Sequence, residues 1–285
     1  MNDHRVYDLW SFILPAIYER EMSLEGLGVM SGCAFEYHDI LPSTQVRARE
    51  LAGEGAGRTV VVAGRQTAGR GRLTRHWESP KGSGLYFSIL FRPVLPANVI
   101  HMINIAAALS VAEAVRSLLG LELELKWPND LLISRAGYSK DRKSRKMCGI
   151  LSESAMRGGA LDYCITGIGI NLYAPPDISP DLKDRAGWLC ECEKGEEIEQ
   201  VKLLSSVVGN FFDWICAMER DGVEQMLLTY REKCASVGSV VRVETDSETL
   251  TGLCAGIGND GELLVETPEG ARRFHVADVT HAGLV

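Results

Sequence analysis

The 285-residue sequence lacks the features of a membrane, secreted or fibrous protein. It contains no run of about 18 apolar residues, so we expect no membrane-spanning helix. Its first residues carry scattered charges without the apolar stretch and cleavage site of a secretory signal. No repeat or low-complexity tract is present. We therefore expect a globular protein of the cytoplasm that does not contact a membrane.

Several motifs of common cofactor and metal sites are also missing. The six histidines show neither HxH nor HExxH spacing, so a zinc site is not expected. There is no Walker A sequence and no complete dinucleotide fingerprint. Cys190 and Cys192 form a CxC pair without a second pair, and metal binding there stays an open alternative. We expect no metal held by the protein alone.

The eight cysteines are an even number, which permits a disulfide interpretation. However, the chain is long enough to bury a core without disulfides, and no secretory signal accompanies the cysteines. Cys164 and Cys216 lie in apolar runs, where a free cysteine behaves as a small apolar residue. Buried free thiols are therefore the favoured prediction.

Charge excludes one further class of protein. The formal net charge is −8, so the chain is not a general nucleic-acid coat, whose affinity would come from basic residues. Hydrophobic residues make up 46% and charged residues 24%, proportions that are typical of a globular protein and exclude a disordered chain. Local basic clusters can still bind small anions.

The order of apolar runs predicts a mixed α and β protein in two parts. Alternation and apolar runs indicate strands over 59–63, 85–91, 121–126, 147–153 and 161–171, then over 238–244, 250–257, 261–267 and 272–276. Helical spacing indicates helices over 1–32, 45–52, 98–119, 201–218 and 222–233, with Asn98 and Gly120 at the ends of the third. We expect a helical extension over 1–34, a main domain over 35–234 and a small β-barrel over 235–285.

The densest candidate site is the segment Gly64–Ser88, GRQTAGRGRLTRHWESPKGSGLYFS. It contains five basic residues and one acid, and its glycines let the backbone approach a ligand closely. Arginine forks match carboxylate and phosphate oxygens, so the segment suits a cradle for an anion. A solvated basic turn is the alternative. The two strongly apolar strands that flank the segment favour the cradle.

Three further segments carry candidate chemistry. KWPND at 126–130 presents a cation, an amide and a carboxylate directly after a strand, although an ordinary turn has the same composition. Lys146 begins the apolar strand MCGILSE, which can hold it rigidly, whereas the rest of the basic stretch 135–146 has the composition of a solvated hairpin tip. GIGINL at 167–172 ends a buried strand and allows close approach of a ring.

Together these segments resemble the biotin–protein ligase family. The similar stretches, in the family's order, are PST at 42–44, GRQTAGRGR at 64–72, HWESPKGSGLYFS at 76–88, KWPNDLL at 126–132, RKMCGILSE at 145–153 and GIGINL at 167–172. The resemblance implies an α+β fold, with a mixed sheet covered by helices like that of class II aminoacyl-tRNA synthetases, followed by a small SH3-like barrel. It also implies two steps: biotin and MgATP give biotinyl-5'-AMP, and a carrier-domain lysine then takes the biotin.

The resemblance assigns a role to each matching residue. Those implied to bind biotin are Ser43, Thr44, Gln66, Gly69, Arg70, Gly71, Arg72, Lys146 and Gly149. Those implied to bind ATP or the adenylate are Arg72, Arg75, Trp77, Lys126, Asn129 and Asn171. Lys146, Arg72, Lys126 and Asp130 are the implied catalytic residues, with Lys146 bridging the biotin carboxylate and the α-phosphate, and Asp130 orienting Lys126 or receiving the incoming amine.

The resemblance also indicates which small molecules and proteins the chain is expected to bind. It implies biotin, ATP and Mg²⁺ as the small molecules, and the biotin carboxyl carrier domain of acetyl-CoA carboxylase or a related carboxylase as the protein substrate. A homodimer is possible. Some members carry an N-terminal DNA-binding domain, but Ser43 lies near the start of this chain, so we expect no specific DNA binding. Gln45 stands where the family often has asparagine, and the usual final basic residue of the barrel is missing.

Two alternatives belong to other classes. A lipoate or octanoate ligase shares the fold, although the Gly/Arg segment and KWPND argue against it. A non-catalytic biotin-responsive regulator or biotin-binding module would bind biotin without consuming ATP. The sequence leaves open the oligomeric state, the ligand affinities and the identity of the carboxylase.

Overall fold

The structure is a computed structural model of the chain. It describes residues 32–72, 75–133, 144–158, 160–183, 185–191, 198–245, 247–275 and 277–281. The helices predicted over 1–32 lie outside these residues except for Gly32, as does the basic hairpin predicted over 135–146 except for its last three residues.

The main domain is built on a mixed sheet of seven strands among the described residues. Along the sheet the order is β1-β2-β3-β7-β6-β5-β4. The first two strands are parallel and every other neighbouring pair is antiparallel. In chain order the strands are β1 Ala34–Leu41, β2 Thr59–Gln66, β3 Gly84–Phe91, β4 Glu124–Lys126, β5 Asp130–Ile133, β6 Arg145–Arg157 and β7 Ala160–Asn171.

Helices cover both faces of this sheet. Helix α1 (Thr44–Gly53) packs on one face, where its alanines meet Val61. Val60 and Val62 point the opposite way, into a larger core formed with the helices of the second face. Burial on both faces explains why β2 and β3 read as continuous apolar runs. The remaining helices are α2 Ile103–Leu119, the short α3 Pro180–Lys183, α4 Gln200–Asp221 and α5 Glu224–Lys233.

The C-terminal part is a five-stranded antiparallel sheet in the order β11-β10-β9-β8-β12. Its inward side chains join the same core as the main domain. Trp127 connects the two parts: its indole Nε1 donates to the carbonyl of Gly261 at 2.9 Å, and its backbone N–H donates to Ser236 Oγ at 3.3 Å. The strands are β8 Val240–Glu244, β9 Thr249–Ile257, β10 Leu263–Thr267, β11 Gly270–Phe274 and β12 Asp278–His281.

The α+β architecture with a second small sheet domain confirms the predicted fold class, and several elements differ in detail. The helix predicted from Asn98 starts as a 3-10 turn over Ala97–Met102, and its α-helical part begins at Ile103. Gly120 ends it in the left-handed region as predicted, with φ of 67°. Strands β1, β5 and β12 had no counterpart in the prediction.

The cysteine prediction is confirmed for most of the thiols that the structure describes. Cys33, Cys148, Cys164, Cys190, Cys216, Cys234 and Cys254 are free, whereas Cys192 lies outside the described residues. Cys216 is exposed, so its predicted burial is wrong. It lies on the solvent side of α4, whose core contacts come from residues such as Phe211 and Ile215.

Two helices, α2 with the turn before it and α4, are long and apolar enough to cross a membrane by length and composition. In this fold they pack against each other and the sheet, and α2 is mostly buried. Their apolar character follows from these core positions.

Candidate active site

A group of buried polar side chains around Ser43, Thr44 and Gln66, here called the polar pocket, lies where β1 passes into α1. Ser43 is 2% exposed and its Oγ has no hydrogen-bond partner within the described structure. Ser43 holds the N-cap position of α1, but its side chain makes no capping hydrogen bond, so it does not serve as an ordinary helix cap. Gln66 accepts from the backbone N–H of Thr44 at 2.9 Å and donates to Ser79 Oγ at 2.9 Å. A buried hydroxyl without a partner marks a place for a polar ligand group.

The Gly/Arg segment folds into a hairpin beside this pocket. We call it the Trp77 hairpin, with described residues 66–72 and 75–79. The backbone N–H of Trp77 donates to the carbonyl of Gly69 at 3.0 Å, and that of Gly71 donates to Arg75 at 2.8 Å. A Cβ on Gly69 would collide with the carbonyl of Trp77, so glycine is required for this close pairing. The segment that the sequence predicted to be a ligand cradle is therefore a hairpin with a defined backbone conformation.

The indole of Trp77 lies across two glycines of the sheet. Gly149 on β6 and Gly169 on β7 are paired, and a Cβ on either would come within 2.7 Å of the ring. The indole Nε1 is buried without a partner. The Lys146 ammonium lies 5.1 Å from the centre of one ring of the indole. Because Trp77 covers Gly149, the role of Gly149 beneath biotin stays a prediction.

Two lysines and one carboxylate lie next to this ring. Lys146 Nζ is 2.7 Å from Asp130 Oδ1, so Asp130 pairs with Lys146 rather than with Lys126. Burial lowers the pKa of Lys126; the positive charges of Lys146 and Arg185 add to the effect, and Asp130 opposes it. No described residue forms an ion pair with Lys126. Two neighbouring cations, of which only Lys146 has a carboxylate partner among the described residues, suit an anionic ligand.

Arg72 reaches from the hairpin toward the C-terminal domain. Its Nη1 donates to Asn129 Oδ1 at 3.3 Å and to the carbonyl of Ala277 at 3.1 Å, and lies 3.8 Å from Asp278. Burial lowers the pKa of Arg72, and the charge of Asp278 opposes that shift. Arg75 also pairs with Asp278. Sequence reasoning did not identify Asp278, whose place on a short unpredicted strand hid its link to the hairpin.

The resemblance implies that Asn129 and Asn171 read adenine or brace its loop, and in the structure both donate hydrogen bonds to backbone carbonyls. Asn129 Nδ2 donates to the carbonyl of Ile150 at 2.9 Å. Asn171 Nδ2 donates to the carbonyl of Gly187 at 3.2 Å. Gly187 belongs to a segment that flanks Lys146, since the backbone N–H of Lys146 donates to Arg185 and that of Gly187 donates to Lys146, both at 2.9 Å. Contact of either asparagine with adenine stays a prediction.

A network on the same sheet face escaped the sequence-based prediction. Gln45 is 4% exposed and donates to Glu153 Oε2 at 3.1 Å, while Ser88 Oγ donates to Gln45 Oε1 at 3.1 Å. Glu153 also pairs with Arg49 and Arg70. The signals available were the unusual Gln45 and the glutamate that ends the matching stretch RKMCGILSE.

A cleft of about 410 Å³ opens between the start of α2, the Trp127–Pro128 turn and the C-terminal domain. Of the predicted site residues, Arg72 lines it, whereas the residues around Ser43 do not. Among the described residues no cluster of three or more His, Cys, Asp or Glu side chains could hold a metal ion. The site as it stands joins a polar pocket, a stacked ring and a group of cations on one face of the sheet.

Comparisons with known proteins agree with this geometry. Residues 39–171 match the biotin/lipoate A/B protein ligase family, and residues 237–281 match the biotin protein ligase C terminal domain. A bifunctional ligase/repressor of Bacillus subtilis is 34% identical over 245 residues, which are 85% of this chain and 72% of that protein. A biotin–[acetyl-CoA-carboxylase] ligase of Mycobacterium tuberculosis is 27% identical over 278 residues, which are 94% and 96% of the two chains.

Solved structures agree as well. The biotin protein ligase of Aquifex aeolicus, in complex with biotin and ATP, superposes with a TM-score of 0.72 and 28% sequence identity, over 87% of this chain and 99% of that one. The matched regions contain the polar pocket, the Trp77 hairpin and the cations. The chain therefore belongs to the biotin–protein ligase family.

Proposed function

We propose that this protein is an ATP-dependent biotin ligase that makes biotinyl-5'-AMP and transfers the biotin to a lysine of a biotin carboxyl carrier domain. The observation that carries the proposal is the buried, unpartnered Ser43 hydroxyl at one end of the Trp77 hairpin, whose indole lies beside Lys146. Biotin has a polar ureido ring at one end and a carboxylate at the other. Its two ends match these two parts of the site.

The first step joins the biotin carboxylate to the α-phosphate. A carboxylate oxygen attacks the α-phosphorus, and the bond to the bridging oxygen breaks to release pyrophosphate. Lys146 is held by Asp130 at 2.7 Å and can stabilise the charge that accumulates on the phosphate oxygens. Lys126 and Arg72 add positive charge from either side of the same site. Mg²⁺ arrives with ATP as part of the substrate.

The second step transfers the acyl group. The uncharged amine of the carrier lysine attacks the carbonyl carbon of biotinyl-AMP, the bond from that carbon to the phosphate oxygen breaks, and AMP leaves. The amine must lose a proton, and Asp130, which borders the cations, can receive it. The Trp77 indole packs on Gly149 and Gly169 beside Lys146, so the hairpin that carries it can border the reactive intermediate and limit the access of water.

Ser43 and Gln66 favour biotin over a lipoyl or octanoyl chain. An apolar chain would leave the buried Ser43 hydroxyl without a hydrogen bond, which costs roughly 1–3 kcal/mol. Transfer of biotin onto a purified carrier domain tests the proposal. ATP-dependent labelling should occur, stop when the acceptor lysine is changed to arginine, and resist competition from lipoate. Labelling by lipoate instead of biotin would favour the lipoate ligase.

The same proposal includes the protein acceptor, the cellular compartment and the oligomeric state. The acceptor is the carrier domain of acetyl-CoA carboxylase or a related carboxylase, and the reaction occurs in the cytoplasm, where carboxylase and ATP are found together. A homodimer stays a prediction that sedimentation at equilibrium would test. The acidic chain, with a net charge of −8, is expected to bind no specific DNA.

A further inference from the structure

Glu153 is a carboxylate of β6 with three partners on the face that carries the site. Its Oε1 lies 3.2 Å from Arg70 Nη1. Its Oε2 accepts a hydrogen bond from Gln45 at 3.1 Å and pairs with Arg49. Glu153 is half-buried, and no role in the reaction described above involves it. Its four-residue separation from Gly149 places it beyond the stacked Trp77 ring along the same strand.

The buried Gln45 fixes the carboxylate on the rigid side, whereas the Arg49 side chain is 41% exposed and adds little. Gln45 and Arg49 both belong to α1. The Gln45 amide is fully engaged, since it also donates to the carbonyls of Leu151 and Ile165, both at 3.3 Å, and accepts from Ser88. Burial of such a satisfied amide holds the adjoining carboxylate in one place. Glu153 is thus a fixed acceptor at the edge of the pocket.

The third partner belongs to the Trp77 hairpin. Arg70 lies directly opposite His76 across the hairpin. His76 immediately precedes Trp77 in the sequence. Because Trp77 and Gly69 are joined by a backbone hydrogen bond of 3.0 Å, a restraint on Arg70 also restrains Trp77. The Arg70–Glu153 ion pair therefore connects the hairpin to β6 of the sheet.

We propose that Glu153 is a positioning residue whose ion pair with Arg70 holds the Trp77 hairpin over the pocket and so retains biotinyl-AMP until the carrier lysine arrives. The inference rests on the proposed function. In this inference the Arg70 guanidinium pairs with Glu153 and does not bind the ligand. The backbone of the hairpin contacts the ligand instead. The side chains of Arg70 and Glu153 are 42% and 28% exposed, so solvent weakens the pair. Its loss should speed adenylate release about two- to fivefold.

A direct role of Arg70 makes the opposite prediction. If its guanidinium bound the biotin carboxylate, Glu153 would compete with the ligand. Removing the negative charge of Glu153 would then free Arg70 and slow the release of the adenylate. The effect of Glu153→Gln on release therefore distinguishes the two roles by its direction.

The experiment measures release of chemically synthesised, radiolabelled biotinyl-AMP from the full chain after a chase with unlabelled adenylate. The variants are Glu153→Gln, Arg70→Gln and the double variant. Arg49→Gln is the matched control, because it removes an arginine from the same carboxylate but lies on α1. Labelling of lysines on serum albumin, which is no carrier, gives a second readout of escaped adenylate.

Each single variant at the Arg70–Glu153 pair should release the adenylate about two- to fivefold faster and label more albumin. The double variant should match the single ones, because both remove one interaction. Arg49→Gln should behave as the unchanged chain. Slower or equal release from Glu153→Gln, additive effects in the double variant, or equal effects of Arg49→Gln would overturn the inference.

The measurement separates this inference from the proposed function. If the unchanged chain binds synthetic biotinyl-AMP but the variants release it at the same rate, only the role of Glu153 is wrong. If the unchanged chain neither forms nor binds the adenylate, the proposed function fails as well. Glu153→Asp keeps the test valid if Glu153→Gln disturbs folding, because the shorter carboxylate also loses Arg70. It should speed release if Glu153 positions the hairpin, and slow release if Arg70 binds the ligand directly.

Discussion

Lys146, the proposed catalytic cation, lies next to a carboxylate, beside an aromatic ring and at the start of a long strand. Lys146→Ala should reduce formation of biotinyl-AMP by about 100- to 1,000-fold, because a fixed charge that stabilises the transition state is lost. Pyrophosphate release in the presence of biotin and ATP measures this step. The control is Lys202→Ala, which removes a lysine paired with Glu199 on the exposed surface.

Near-normal pyrophosphate release by Lys146→Ala would contradict the role given to this lysine. Circular dichroism of the variant should match that of the unchanged chain, since the Lys146 side chain lies at the rim of the site rather than in the core. A loss of activity with an intact spectrum would assign the effect to chemistry rather than to folding.

The surface under Trp77 leaves no room for a side chain. In Gly169→Ala the new methyl group would come within 2.6 Å of the indole, and the neighbouring strands prevent the backbone from moving. We expect displacement of Trp77 and a raised KM for ATP. Tryptophan fluorescence on addition of biotin and ATP, together with steady-state kinetics, measures both effects.

Gly256→Ala is the control for this change. It also lies in a strand, but a Cβ there meets no atom within 4 Å. Kinetics of Gly169→Ala equal to those of the control would show that the position of Trp77 does not matter to catalysis.

At the scale of single residues, sequence patterns predicted some contacts and missed others. The rigid placement of Lys146 follows from its position before an apolar strand. The network around Glu153 does not, because it requires α1, the hairpin and β6 to meet at one point. Sequence spacing does not reveal contacts among three distant elements. Arg70 is 83 residues from Glu153 along the chain, and Gln45 is 108 residues from it.

Among the elements of the site, the Trp77 hairpin has many exposed residues. Its exposed arginines, Arg70 and Arg75, stand at positions that a trypsin-like protease can cleave. Binding of biotin and ATP should reduce cleavage between Arg70 and Arg75 by adding contacts to the hairpin. Limited proteolysis with and without ligands measures the change.

The control is biotin with AMP, which does not provide the phosphates needed to form the adenylate. Cleavage that is unaffected by biotin and ATP would show that the hairpin does not respond to ligands. Protection by ATP alone would show that the ligand contacts of the hairpin come from the nucleotide rather than from biotin.

The predicted elements agree best where the chain is buried on both sides. Strands β2 and β3 and helix α4 were predicted near their observed bounds because their apolar pattern is strong. Strands β5 and β12 span only four residues each, and partners from distant parts of the chain decide their extended form. Short strands of this kind have too few residues to show a period.

At the scale of the whole molecule, the two domains share one core and one set of site contacts. Asp278 on β12 faces both Arg72 and Arg75 of the Trp77 hairpin. Thus the C-terminal domain holds the hairpin on one side while β6 holds it on the other. The sequence indicated two domains in the right order, but no pattern in it revealed that the second domain completes the site of the first.

The joint between the domains contains the buried histidine His281. His281 is 8% exposed and its Nε2 lies 3.0 Å from Ser236 Oγ, which in turn accepts from the backbone of Trp127. Burial lowers the pKa of His281 below its ordinary value, and the nearby charge of Lys126 lowers it further. The folded chain therefore keeps His281 neutral at a pH where the unfolded chain takes up a proton.

The free energy of unfolding should consequently fall as the pH drops below about 6.5, the ordinary pKa of histidine, until the lower pKa of the folded state is reached. The slope from this residue is at most about 1.4 kcal/mol per pH unit. Urea unfolding at about pH 7.5 and about pH 5 measures this change in the free energy of unfolding.

His281→Gln keeps a hydrogen-bonding side chain without a titrating ring, so this variant should lose less stability between the two pH values than the unchanged chain. His275→Gln, which removes an exposed histidine of the same domain, should lose as much as the unchanged chain. Equal losses in all three proteins would show that His281 does not link the joint to pH.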